Sequence, residues 1–114
     1  MLGLSANLRY FLCCSAIDMR NGFDGLAGIV RNHLKKDPIS GDVFIFINKN
    51  RTHIKLLYWD GDGFALFYKR LERGRYAFTA DNTTTKQLPR EELLMLLEGL
   101  SFNEMSKKKR YRRE

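Results

Sequence analysis

The chain is poor in the residues that make covalent staples and metal cages. It has two cysteines, Cys13 and Cys14, adjacent in sequence, and two histidines, His33 and His53. Neighbours on a strand point to opposite faces, so the two thiols are poor partners for one disulfide. Lacking a cysteine framework, the chain is expected in a reducing compartment, with the cytoplasm as the default. Structural zinc favours CxxC or HxxxH spacing, and neither occurs. No run approaches the roughly 18 apolar residues of a membrane span. The apolar N-terminal stretch is interrupted by Arg9, with no basic segment before it, which argues against a signal peptide. No phosphate loop of the GxGxxG or GxxxxGK type is present.

What remains is an ordinary globular balance. The 114 residues are 44% hydrophobic and 29% charged, enough for one domain and one core. Aromatics concentrate between residues 44 and 78, where the core is expected. The net charge of +7 is uneven. Lys107, Lys108, Lys109, Arg110, Arg112 and Arg113 stand against Glu114 alone, so residues 1–106 read as the domain and 107–114 as a basic tail. Such a tail suits a polyanion, most often nucleic acid, through phosphate contacts and counterion release. It equally suits a solvated end that keeps the protein soluble.

Hydrophobic spacing predicts the elements. Leu8 to Cys14 is a short apolar run that reads as a strand. Phe23, Leu26, Ala27, Val30 and Leu34 recur at helical spacing, giving a helix over about 22–35. Asn21 is placed to cap it, Asp24 to suit its dipole, and Asp37-Pro38 to stop it. Gly25 and Gly28 in its interior suggest close packing, with the sheet as a candidate neighbour. Val43 to Ile47, His53 to Asp60, Phe64 to about Arg70 and Arg75 to Thr79 read as four strands of an antiparallel meander. Asp60-Gly61-Asp62-Gly63 is its strongest hairpin signal. Ile54, Leu56 and Tyr58 share one face, and Leu57 and Trp59 the other, so the sheet must be covered on both faces or curl. Asp81 to Thr85 reads as a polar loop. Pro89 opens a second helix with a stripe of Leu93, Leu94, Leu97 and Leu100, and Gly99 ends it.

Two long stretches resemble the signatures of a known family. Asp18-Met19-Arg20-Asn21-Gly22-Phe23-Asp24-Gly25-Leu26 is similar to a DMRxGFDGL motif. Leu57-Tyr58-Trp59-Asp60-Gly61-Asp62-Gly63-Phe64, followed by Tyr68-Lys69-Arg70-Leu71-Glu72-Arg73-Gly74, is similar to LYWDGDGF…YKRLERG. The helix Leu93-Leu94-Met95-Leu96-Leu97-Glu98-Gly99-Leu100 resembles the closing LLLEG segment. Together they resemble the Orf2-like, or TnpB-type, accessory family of insertion sequence sixty-six elements, unrelated to the RNA-guided nuclease that shares the TnpB name. The likeness runs from about Leu8 to Leu100. Asn21 stands where the family often has Lys, and Pro89 where many members have Ser or Thr. The resemblance implies a factor encoded beside a larger transposase that assists transposition, and it carries no catalytic residue. The tail lies outside the shared motifs.

The candidate chemistry has structural alternatives at each point. A transposase-type centre gathers three carboxylates around two metal ions. Here Asp24 fits a helix start, and Asp60 and Asp62 fit a hairpin turn. The start of a calcium loop at Asp60 fails, since Phe64 and Leu71 stand where ligands are required. His33 and His53 read as surface or boundary residues. Cys13 and Cys14 lie in an apolar strand, which buries one of them and leaves it inert. Lys69, Arg70, Arg73 and Arg75, with Tyr68 and Tyr76 interleaved, form the most suggestive group. They read as a phosphate-and-base platform or as the solvated face of an edge strand, with Glu72 pairing one of them. Arg20 either binds a phosphate or a partner carboxylate, or pairs with Asp18 or Asp24 to fix the start of the helix.

The sequence therefore predicts an α+β domain: a strongly bent antiparallel sheet of four or five strands, partly barrel-like, with two helices. The first helix covers one face, and the last covers part of the other or serves a partner. The expected function is non-catalytic assistance to transposition of a bacterial insertion element, with no cofactor and no small-molecule substrate. Expected partners are the element-encoded transposase and DNA, without a membrane. The alternative is a protein-interaction module with no DNA affinity of its own. The residues expected to matter are Lys69, Arg70, Arg73, Arg75 and the tail for nucleic acid, and Asp18, Arg20, Tyr58, Trp59, Asp60 and Asp62 as other motif positions.

Overall fold

A computed structural model describes residues 5, 7–77 and 82–99. The elements run β1 (Tyr10–Cys13), α1 (Phe23–Asn32), β2 (Val43–Ile47), β3 (His53–Trp59), β4 (Phe64–Arg70), β5 (Thr85–Leu88) and α2 (Arg90–Glu98). The protein has an α+β fold with one five-stranded sheet in the order β4-β3-β2-β1-β5.

The predicted meander holds for β2, β3 and β4. Phe44 lies opposite Leu57, and Leu57 opposite Leu66. Three features of the sheet differ from expectation. The sheet is not closed into a barrel, and β1 pairs with β2 in parallel, Phe11 opposite Phe44. The cause is α1, which carries the chain back to the end where β1 began, as a crossover connection must. The other difference is β5. Thr85-Lys86-Gln87-Leu88, expected as loop and helix approach, forms an antiparallel edge strand on β1, with Tyr10 opposite Leu88. Edge strands tolerate polar side chains, so the segment lacks an apolar alternation. Only Leu88 of its four residues is buried. The expected strand from Arg75 is reduced to a short bridge in which the Tyr76 N–H donates to the Arg51 carbonyl at 2.7 Å. Its last two residues, and Asp81, lie outside the described residues.

Both faces of the sheet are covered. On one, Leu26, Ala27, Val30 and Leu34 pack on Phe11, Cys13, Phe44, Phe46 and Leu57. On the other, Leu93, Leu96 and Leu97 of α2 pack with Tyr10, Leu12, Val43, Ile45, Ile47, Ile54, Leu56 and Tyr76. All five residues of β2 are buried, as expected of a strand sandwiched between helices.

The helix ends also adjust the sequence reading. α1 stops at Asn32 because the chain leaves helical geometry at Lys35, whose φ is +58°, ahead of Pro38. Leu34 is buried beyond the helix end, while Phe23, expected on the stripe, is half-exposed. Gly22 is the N-cap and no side chain caps α1; Asn21 donates instead to the Asp18 carbonyl at 2.9 Å. The absent side chain of Gly25 makes room for Asn21 rather than for the sheet, and nothing crowds Gly28. Pro89 sits one position earlier than expected, at the N-cap of α2. Gly99 does end that helix, in a left-handed conformation (φ +72°).

Candidate nucleic-acid interface

The β1–α1 connection, the β2–β3 turn and the end of β4 all lie at one end of the sheet. This follows from the pairing: β1 and β2 run parallel, β3 returns, and β4 runs forward again. The Ile17 N–H donates to the Ile47 carbonyl at 2.9 Å, tying the first connection to the turn. The Leu71 N–H donates to the Thr52 carbonyl at 2.9 Å, which with the Tyr76 bridge folds segment 71–76 against the same turn. Arg70, Arg73 and Arg75 are thereby joined by Lys49 and Arg51, five cations at one end of one sheet. The sequence reading passed over Lys49 and Arg51 because Asn48 to Thr52 read only as a polar turn.

Asn48 builds that turn. Its Oδ1 accepts from the N–H groups of Thr52 and His53, at 2.9 and 3.0 Å, replacing two ladder partners with a side chain. Arg51 takes a positive φ of +60° to close it. The His53 ring is fixed by the Thr52 hydroxyl, 2.7 Å from Nδ1.

Lys55 is the residue that pattern reading missed. It sits in mid-strand, 6% exposed, on the face that α1 covers. Its Nζ donates to the carbonyls of Met19 and Asn21, at 2.7 and 2.8 Å, and lies 4.6 Å from the centre of the Tyr68 ring. A buried ammonium needs such partners to offset its lost hydration. Lys55 thus fastens the Asp18–Gly22 segment to the sheet beside Tyr68, bringing the start of the first signature motif against the YKRLERG part of the second. No sequence signal besides a lysine at an inward strand position pointed to it.

Within the fastened segment, Asp18 accepts from the Arg20 backbone N–H at 2.8 Å and from its guanidinium at 2.6 Å. These bonds hold the Asp18 carboxyl down to about 2. Arg20 is turned to solvent and engaged with Asp18. Because the folded value lies below the ordinary one of 3.8, the contribution of the pair is present above about pH 4. It is lost as pH falls toward 2. A carbon-detected NMR titration should show Asp18 ionised down to about pH 2, returning to an ordinary carboxylate in Arg20→Ala. Titration of the intact protein near 3.8 would contradict this geometry.

The other expected residues separate. Lys69 faces the opposite side of the sheet, where its Nζ donates to the Leu97 carbonyl at 3.0 Å and satisfies the C-terminal end of α2. Tyr76 is buried, its phenol pushed up to about 12 by burial, and it offers no stacking surface. Tyr68 is 51% exposed. Arg70 pairs with Glu72 at 2.9 Å. Tyr58, Trp59, Asp60 and Asp62 lie at the far end of the β3–β4 hairpin, about 20 Å from His53 by strand rise. There Asp60 donates its N–H to the Gly63 carbonyl, Gly61 turns with φ +82°, and Trp59 meets Phe64 edge-on at 5.1 Å. Asp42 pairs with Arg9, and Asp37 accepts from the Ile39 N–H. Asp18, Asp37 and Asp42 each have a local partner, and among the described residues no three His, Cys, Asp or Glu side chains are grouped to hold a metal ion. Both cysteines are buried, where one was expected to be, and burial pushes the Cys13 thiol up. No described helix is long and apolar enough to cross a membrane. The basic tail lies outside the described residues.

Both signature stretches are now accounted for in space, and the comparisons with known proteins decide the family. The family model described as IS66 Orf2 like protein matches residues 8–107. The chain belongs to the IS66 Orf2-like family. That places it among accessory proteins of a transposable insertion element. It is similar to two uncharacterized proteins of Sinorhizobium fredii (strain NBRC 101917 / NGR234). It is 33% identical to y4jC over 108 residues, covering 95% of this chain and 92% of the relative. It is 33% identical to y4hO over 102 residues, covering 90% and 89%. No solved structure matches the chain significantly.

Proposed function

We propose that this IS66 Orf2-like protein assists transposition without catalysing it, by gripping DNA in the cytoplasm beside the element-encoded transposase. The observation that carries the reading is the gathering of Lys49, Arg51, Arg70, Arg73 and Arg75 at one end of the sheet, opposed there by Glu72 and Asp18. Cations so placed track phosphates and release counterions. The tail from Lys107 to Arg113 adds to the same attraction. Lys69 is left out, since it serves α2. The carboxylates that a cutting enzyme would converge are dispersed into a turn, a helix start and ion pairs, which supports a holding rather than a breaking role.

A pure protein-docking module is less well supported. The large apolar side chains exposed among the described residues are Phe23, Ile39, Tyr68 and Met95, on four separate segments.

The test is a salt series of DNA binding by anisotropy. The intact protein should bind duplex DNA at low salt and lose affinity steeply as salt rises. Replacing Arg70, Arg73 and Arg75 together by Gln should flatten the logarithmic slope by about 2 to 3, and deleting the tail should flatten it further. No binding at low salt would remove the DNA reading and leave co-purification with the transposase to judge the docking one.

A further inference from the structure

Four side chains form a two-by-two block on the α1 face of the sheet, at its β4 edge, where Tyr68 stays half-exposed. His53 lies opposite Arg70, and Lys55 opposite Tyr68, on β3 and β4. The alternation of strand residues puts all four on one face. The His53 and Tyr68 rings lie 5.9 Å apart with planes tilted by 40°. Lys55 stands over the tyrosine ring, yet half of Tyr68 stays open to solvent. A shallow cavity of 370 Å³ is lined by His53, Tyr68, Arg70 and Glu72. His53 also borders a second of 470 Å³, between residues 16–19 and 48–50, lined by Asp18 and Lys49 among others. His53 lines both cavities, which lie at the basic end of the sheet.

An exposed tyrosine held in place by a buried cation is a rigid flat surface rather than a loose side chain. The charged side chains lining the two cavities are Arg70 and Lys49 against Glu72 and Asp18, and Arg51, Arg73 and Arg75 stand at the same end of the sheet. An aromatic plate beside such a group of cations is the arrangement that takes bases from a single strand. In duplex DNA the base faces are stacked inside and cannot reach such a plate.

We infer that the cavity at His53, Tyr68 and Arg70 seats an unstacked nucleobase of single-stranded DNA. Tyr68 supplies the stacking surface, and Arg70 exchanges Glu72 for the phosphate beside that base. Both members of the Arg70–Glu72 pair are largely exposed, so the exchange gives up little. The assignment rests on the DNA-binding reading and adds to it the class of strand that is preferred.

The test compares a labelled oligothymidine with a duplex of equal length, binding to the full chain by anisotropy. Oligothymidine should bind more tightly. Tyr68→Leu should weaken it by about tenfold to a hundredfold, since one stacked base is worth that much, and change duplex affinity less than about twofold. Tyr68→Trp should restore single-strand binding, and its indole emission should be quenched when oligothymidine is added. A thermal melt of each variant confirms folding, which an exposed position favours. Equal affinity for the two nucleic acids, or an unchanged oligothymidine affinity in Tyr68→Leu, would overturn the base seat. If duplex binding keeps its salt dependence in that case, the DNA-binding reading stands without it. If neither nucleic acid binds, both fall together.

Discussion

Lys55→Met is expected to lower stability by about 2 kcal/mol, and the melting temperature by roughly 10 °C. Methionine keeps the apolar stem and the strand position, so the change isolates the ammonium. Lost with it are two charged hydrogen bonds, to the carbonyls of Met19 and Asn21, and the contact with the Tyr68 ring. The cost stays moderate because no unpaired charge is left behind and the two carbonyls lie in a half-buried connection that water can reach. The loss should also be local. Hydrogen exchange should accelerate over residues 18–22 well before the core strands respond. A variant that melts within about 2 °C of the parent, with unchanged exchange there, would show that Lys55 does not fasten the motif segment.

A larger effect is expected deeper in the sheet. Phe44→Ala should cost about 4 kcal/mol, a large share of the stability of a domain this size. Phe44 is fully buried on β2, stacks on Phe11 with ring centres 5.9 Å apart, and lies in the cluster that α1 covers. It is held between strands on both sides, so the surroundings collapse poorly into the space a truncation leaves. Leu66→Ala, on the half-exposed edge strand β4, should cost clearly less. Urea denaturation checks both. Similar midpoints for the two variants would mean that the centre of the sheet is not packed more tightly than its β4 edge.

The elements whose signal is local were readable before the structure. Phe44 to Ile47, Leu57 and Phe64 to Tyr68 carry β-branched and aromatic side chains, and Asp60-Gly61 supplies the turn chemistry, so the hairpins followed. The helical spacing of Leu26, Ala27, Val30 and Leu34 located α1 for the same reason. What could not be read was pairing set by distant residues. Nothing in Tyr10 to Cys13 states that it lies parallel to β2. Thr85 to Leu88 has too few apolar residues to declare itself a strand. The basic group was half legible. Arg70, Arg73 and Arg75 cluster in sequence, but Lys49 and Arg51 join them only through backbone bonds across the sheet end. Lys69 and Tyr76 looked equivalent to their neighbours until strand parity and burial separated them. Lys55 is the plainest case, because a lysine's partners on a remote connection leave no trace in its own segment.

The position of β1 between β2 and β5 has a kinetic meaning. Its partners lie about 33 residues onward on one side and up to 78 on the other, from Tyr10 to Leu88. The β2–β3–β4 hairpins need only near neighbours and can close early, whereas long loops raise the entropic barrier to closure. On the ribosome, β1 waits for β5 and α2: Phe11 and Cys13 can be covered early by α1 and β2, but Tyr10 and Leu12 lack their α2 cover until nearly the whole described chain has emerged. That interval, rather than the finished fold, is where the molecule is most exposed to aggregation and to chaperones.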